Sequence, residues 1–182
     1  QAQPSSTVIA LEIHPEVAKV ASENFNSGPF KARLQAIEAN VLTFKSEEKF
    51  NFICSNPPFF TNHLAASDEA KHMAIHADHL SPVDLAASID RLLTKEGEFA
   101  VLYPEDVLAQ FEQSLQVNGL FLHEKVTIHS NPSSPVLRVM ANGSRKNNPI
   151  KQDRINIKTE LGEYSPEFIE LLRPYYIIFP SQ

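Results

Sequence analysis

The sequence predicts an α/β fold on a mostly parallel sheet that closes in an antiparallel hairpin. Three observations carry this. Strand-sized apolar runs alternate with helical stretches over the first two thirds of the chain, the pattern of a parallel sheet with helices on its faces. Proline, serine and glycine punctuate the helices at the positions helix ends prefer. Late in the chain, two strand-like runs are separated only by Ser-Asn-Pro-Ser-Ser, too short for a crossover and right for an antiparallel pair.

Taken in order, Thr7–Ile13 reads as a buried strand, short and rich in β-branched residues, with Glu12 near its end. Pro15 suits a first helical position, and Val17, Ala18, Ala21 and Phe25 recur at helical spacing until Ser27-Gly28-Pro29. Ala32–Glu38 is a second strand and Phe50–Ser55 a third. Ser81-Pro82-Val83-Asp84 opens a helix whose apolar face is Leu85, Ser88, Ile89, Leu92 and Leu93, with Gly97 following its end. Phe99–Tyr103 is a fourth strand, and Glu105–Val117 a helix closed by Asn118-Gly119. The antiparallel pair is Leu120–Ile128 with Pro135–Ala141; a last strand, Ile155–Thr159, precedes a short helix from Ser165 and the apolar tail Tyr175–Phe179.

Length and composition fit a single domain spanning 1–182 that buries a substantial core. Its longest apolar runs are far too short to span a bilayer, and no basic-then-apolar leader opens the chain, so a cytoplasmic protein is expected. The single cysteine, Cys54, forms no internal disulfide and reads as a small buried strand residue. The net charge of −6 speaks against a broadly nucleic-acid-coated surface. Yet Arg138, Arg145, Lys146, Lys151, Arg154 and Lys158 face a single acid, Asp153, between Arg138 and Lys158. Such segregation fits one phosphate-facing patch, with Arg145, Lys146, Lys151 and Arg154 as its candidates; a solvated loop is the plainer alternative.

The sharpest chemical signal is Ser55-Asn56-Pro57-Pro58-Phe59-Phe60, directly behind the third strand. In open α/β sheets ligands bind outside the carboxyl ends of strands. Proline has no N–H, so the carbonyls of this turn face a ligand without a competing neighbouring donor. The Asn56 amide oxygen and the Pro57 carbonyl can each accept one hydrogen of a planar amino group, and Phe59 offers a face for a flat base. A plain Asn-Pro turn is the alternative, against which the strand before and the aromatics after both argue.

With these residues in place, the chain resembles the class I S-adenosylmethionine-dependent methyltransferases that act on amino groups, whose catalytic motif is Asn-Pro-Pro-Phe. The resemblance implies a Rossmann-like sheet, with Asn56, Pro57, Pro58 and Phe59 as the catalytic turn. It implies that Glu12 binds the ribose hydroxyls of S-adenosylmethionine, that Asn40, in place of the usual Asp, contacts the adenine amine, and that Ile13, Val41 and Asn56 also belong to the cofactor site. Ala70-Lys71-His72, and the ending from Tyr164-Ser165-Pro166-Glu167-Phe168 to Tyr175–Phe179, are similar to the bacterial tRNA(Val) adenine N6-methyltransferases. That likeness implies a tRNA partner and methylation of adenine N6 in the anticodon loop, where flipping a base costs little. Sister enzymes acting on rRNA guanine, DNA adenine or protein glutamine share the motif, and a non-catalytic RNA-binding or scaffold domain is the reading from a different class.

One departure from the family is large. Its Gly-x-Gly-x-Gly-like turn is absent, since Gly28, Gly97, Gly119, Gly143 and Gly162 are all far apart. The expectation is a sheet missing its first strand and helix, interrupted between Thr7–Ile13 and Phe50–Cys54, in a chain that binds cofactor weakly. His72, His76 and His79, with His63 nearby, raise a metal site, but no zinc-hydrolase pattern accompanies them. No metal and no obligate protein partner are expected.

Overall fold

The computed structural model describes residues 6–57 and 80–179. The chain divides into two compact units, one within Gln1–Glu48 and the other within Lys49–Gln182.

The first unit is a β-α-β element. Strand β1 (Val8–Glu12), helix α1 (Pro15–Ser27), a 3-10 turn (Lys31–Arg33) and strand β2 (Leu34–Glu38) follow one another. The two strands pair in parallel, with Val8 beside Leu34 and Glu12 beside Glu38. Helix α1 starts at Pro15, whose missing N–H falls where a helix has no acceptor for it. It stops at Gly28, held extended (φ −84°, ψ 164°) as the residue before Pro29 must be.

The second unit carries the larger sheet, of order β3-β4-β6-β5-β7. Its strands are β3 (Phe50–Ser55), β4 (Leu93–Tyr103), β5 (Phe121–His129), β6 (Val136–Ser144) and β7 (Lys151–Asn156). Pairs β3/β4 and β5/β7 are parallel, whereas β6 runs antiparallel to both its neighbours. One reversed strand in an otherwise parallel set is the mostly parallel sheet with an antiparallel hairpin that the sequence predicts. Helix α2 (Pro82–Leu92) is capped reciprocally: the Asp84 N–H donates to Ser81 Oγ at 3.1 Å, and that hydroxyl donates to Asp84 Oδ2 at 2.6 Å. Helix α3 (Glu105–Val117) ends in a Schellman turn, with Gly119 at φ 65° and the Leu120 N–H on the Leu115 carbonyl at 3.0 Å. Both helices cover one face of the sheet, where Leu85, Ile89, Leu108, Phe111 and Leu115 pack on Phe99, Val101, Tyr103, Val139 and Ala141. Helix α4 (Pro166–Leu172) is capped by Ser165, whose hydroxyl also donates to the Asn156 carbonyl at 2.6 Å.

Three sequence expectations are corrected. The fourth strand starts at Leu93 and not Phe99, so Gly97 lies inside it, because the four residues 94–97 bulge opposite the single Asn51 between the Phe50–Leu93 and Phe52–Glu98 pairs. The last strand is Lys151–Asn156 and not Ile155–Thr159; parallel pairing with β5 gives the earlier, polar residues their ladder partners. Cys54 is exposed, as are Phe52, Val8 and Ile9, because β1 and β3 are each an edge strand of their own sheet among the described residues. The same arrangement leaves β1 and β3 in separate sheets, as an interrupted sheet requires.

Candidate active site

The carboxyl ends of the parallel strands supply the candidate residues, unit by unit. In the first unit, Glu12 ends β1 and Asn40 lies two residues past the end of β2, so both stand at the same edge of one parallel pair. The Ala39 N–H donates to the Glu12 carbonyl at 2.9 Å, which ties the two strand ends together. Glu12 Oε1 accepts the His14 N–H at 2.9 Å, so the side chain curls over the turn that follows its own strand. A carboxylate has about four acceptor positions, which leaves capacity for a diol. Asn40 Oδ1 accepts the Leu42 N–H at 2.9 Å, an Asx turn that orients the carboxamide, and the Asn40 carbonyl takes the Phe44 N–H at 2.8 Å. Glu12, Asn40 and Val41 are half-buried and Ile13 is exposed.

In the second unit, β3 and β4 run in parallel with Ser55 beside Val101. Asn56-Pro57 therefore leaves the sheet at the level where Tyr103 ends β4. Asn56 is exposed and Pro57 buried, so the turn is anchored by its proline and presents its amide outward. Pro58 and Phe59 lie outside the described residues, as do Ala70-Lys71-His72 and the histidines at 63, 76 and 79. Among the described residues no cluster of His, Cys, Asp and Glu could hold a metal, and no helix is long and apolar enough to cross a membrane.

The four basic candidates divide between the two edges of the larger sheet. Arg145 and Lys146 follow β6 at the edge opposite Asn56, because Ser144 pairs with Phe121 at the start of β5 and with Glu98, the first β4 residue that β6 reaches. Arg145 is tied to Asp90, donating to its carboxylate at 2.6 Å and its carbonyl at 2.8 Å, and Lys146 pairs with Glu96 at 2.9 Å. Lys151 pairs with Glu124 at 3.2 Å on the outermost strand, β7. Arg154 sits farther along β7, beside Thr127, and donates to the Pro132 carbonyl and to Asn156 Oδ1.

Sequence reading missed a groove of about 660 Å³ between α3 and strands β5 to β7. Its residues come from one helix and three strands and share no local motif, so only the strand register could have assembled them.

The sheet order, the reversed β6 and a turn of this chemistry on the carboxyl end of β3 define the class I methyltransferase fold. Solved structures agree on that fold. A predicted O-methyltransferase from Agrobacterium tumefaciens superposes with a TM-score of 0.68 at 16% identity, covering 91% of this chain and 76% of its own. A glycopeptide N-methyltransferase complexed with S-adenosylmethionine superposes at 0.54 and 12% identity, covering 77% and 72%. No protein-family model matches the sequence. Whole proteins do. The tRNA1(Val) (adenine(37)-N6)-methyltransferase of Dyadobacter fermentans is 32% identical over 174 residues, 93% of this chain and 72% of that protein. The protein of the same name from Bacteroides thetaiotaomicron is 29% identical over 174 residues, 96% of this chain and 73% of its own. The chain belongs to the family of tRNA1(Val) (adenine(37)-N6)-methyltransferases.

Proposed function

We infer that this protein transfers a methyl group from S-adenosylmethionine to the exocyclic N6 of an adenine in tRNA, the anticodon-loop adenine of tRNA(Val), and works in the cytoplasm. The observation that carries the reading is the Asn56-Pro57 turn, borne on the carboxyl end of a parallel strand within a class I methyltransferase sheet.

S-adenosylmethionine fits the residues of the first unit. Glu12 keeps acceptor capacity for the two ribose hydroxyls after taking the His14 N–H. Asn40, oriented by the Leu42 N–H, has a second lone pair on Oδ1 for an adenine amine. Ile13 and Val41 flank these two residues and complete the set. When bound, S-adenosylmethionine supplies an electrophilic sulfonium methyl group.

The protein's own residues position the acceptor. Asn56 Oδ1 and the Pro57 carbonyl each accept one hydrogen of the adenine amino group, which fixes its rotation and aims its lone pair. Both hydrogen bonds strengthen as the nitrogen acquires positive charge, so the turn favours the transition state over the ground state. Pro58 completes the donor-free backbone, and Phe59 supplies a stacking face for the base. Arg154 and Lys151, on the outermost strand, neutralise phosphates of the RNA, whereas Arg145 and Lys146, after β6, are held by Asp90 and Glu96.

Incubation with methyl-labelled cofactor and a panel of tRNA, rRNA, duplex DNA and release-factor protein tests the reading. Label should enter tRNA and be recovered as N6-methyladenosine. Label confined to any other member of the panel would overturn it.

A further inference from the structure

The groove along α3 lies on the same unit as the Asn56 turn, and the strand register connects them. Tyr103 pairs with Val139, Val139 with Thr127, and Thr127 with Arg154. This row crosses the sheet from the level of Pro57 to the outermost strand, and Val139, Thr127 and Arg154 all line the groove. Strands lie ~4.8 Å apart, so β5 and β7 are roughly 14–19 Å from β3. That is a span of a few nucleotides along a single strand. At about 660 Å³ the groove falls in the range of small-molecule and nucleotide sites.

Its chemistry suits a base better than a phosphate. Glu105, Glu112 and Asp153 outnumber Lys125 and Arg154 in the lining, so a phosphate placed inside would meet net repulsion. The Lys125 ammonium lies 2.7 Å from Glu112 Oε2, with both side chains about three-quarters buried. The pair sets a donor directly beside an acceptor, the arrangement that a base edge presents where an amino group adjoins a ring nitrogen or carbonyl. The Gln152 amide, also in the lining, offers the same combination. Carboxylates accept from base amino groups, and unstacked bases of single-stranded RNA are read on these edges. The exposed cation of Lys151, on the same strand, is placed for the backbone outside.

We propose that the groove bounded by Glu105, Ala109, Glu112, Lys125, Gln152 and Arg154 is a specificity subsite. It takes an amino-bearing base that flanks the methylated adenine by a few nucleotides. This rests on the tRNA reading above and deepens it. The base enters with its Watson–Crick edge toward Lys125–Glu112 while its phosphate stays at the rim near Arg154 and Lys151.

Ala109 is an exposed helical position in the groove wall, so Ala109→Trp fills the groove without touching the core. Val117→Trp, at an exposed position near the end of the same helix, is the control. Methylation of anticodon stem-loop RNAs would be measured with uridine scanned through each position flanking the target on both sides. The wild type should lose at least tenfold in kcat/KM at one flanking position where an amino-bearing base is replaced by uridine. Ala109→Trp should raise KM for the parent RNA at least tenfold and abolish that discrimination, with cofactor affinity and melting temperature unchanged. Val117→Trp should behave as wild type. If the wild type methylates tRNA but Ala109→Trp keeps its KM and discrimination, the subsite is overturned and the tRNA reading stands. If the wild type methylates no RNA, the tRNA reading fails and the subsite with it.

Discussion

Asn56 meets two demands at once: a short amide oxygen that accepts from an amino group, and a backbone followed by proline that keeps its own donors out of the way. Asn56→Ala should therefore lower kcat by at least tenfold with cofactor affinity nearly unchanged, measured by steady-state kinetics beside calorimetry; turnover near wild type would remove the residue from the mechanism. Tyr103 poses the opposite case. Among the described residues its hydroxyl, buried at the end of β4, has no hydrogen-bond partner, and burial pushes its pKa well up. Its ring packs on Phe111 at 5.4 Å. Removing an unsatisfied buried hydroxyl while keeping the ring relieves a desolvation cost, so Tyr103→Phe should gain about 1 kcal/mol in denaturant unfolding; a loss of similar size would show that the hydroxyl has a partner. At this scale the sequence was informative where chemistry is local. The places of Asn56, Glu12 and Asn40 in the fold were legible because each stands at or just past the end of a strand of readable pattern. Arg145 could not be placed, since its partner Asp90 lies on α2, far off in sequence.

The antiparallel hairpin was legible because its five-residue link admits no crossover, but its end was not. The expected strand stops at Ala141, yet β6 continues through Asn142-Gly143 to Ser144. The reason is tertiary: Gly143 lies opposite Phe99, where a β-carbon would meet the Phe99 ring and stand 2.6 Å from the Phe121 carbonyl. Gly143→Ala should cost ~1–3 kcal/mol by overpacking, read from the denaturant midpoint. Strand β7 escaped the apolar pattern because Lys151, Gln152, Asp153 and Arg154 are exposed. What the strand gains is polar: Lys151 donates to Glu124 Oε1 at 3.2 Å, on a carboxylate whose Oε2 takes the Asn142 amide of β6 at 2.7 Å. The Asn142 hydrogen bond, then that from Lys151, hold the Glu124 carboxyl below its usual range. A carboxyl whose pKa is depressed on folding stabilises above its unfolded value, ~4.3, and loses that contribution as pH falls through the lower folded value. Glu124→Gln should thus be less stable than wild type near neutrality, the gap closing as pH drops below ~4; parallel melting curves across that range would show that the network carries no pH-dependent stability.

Across the whole molecule, the residues proposed for the cofactor and the proposed catalytic turn belong to separately packed units, Glu12 and Asn40 to one, Asn56 to the other. The interruption between the two was legible from the missing glycine turn, not from the alternation of strands and helices alone; among the described residues β1 and β3 each pair on one side only. The basic residues show a similar split, since Arg154 and Lys151 lie on the outermost strand while Arg145 is occupied by Asp90. Replacing Lys151 and Arg154 with alanine should flatten the slope of log affinity against log salt by about 1.4, two phosphate contacts on single-stranded RNA. An unchanged slope would mark them as a solvated face. The division also makes a thermodynamic prediction. A ligand that binds only the folded protein stabilises it by about 2.7 kcal/mol at a hundred times its dissociation constant. Under the proposed function Glu12 offers a carboxylate to the ribose diol, and losing such charge-assisted bonds costs ~1.5–3 kcal/mol, about ten- to a hundredfold in affinity. At one fixed S-adenosylmethionine concentration, Glu12→Ala should therefore lose most of the cofactor-induced rise in melting temperature. Asn56→Ala, which touches chemistry on the other unit, should keep it while losing turnover. The two variants would then fail in complementary ways, one recovering activity as cofactor is raised and the other not. If Asn56→Ala abolished the thermal shift while Glu12→Ala preserved it, the assignment of cofactor to the first unit and catalysis to the second would be reversed.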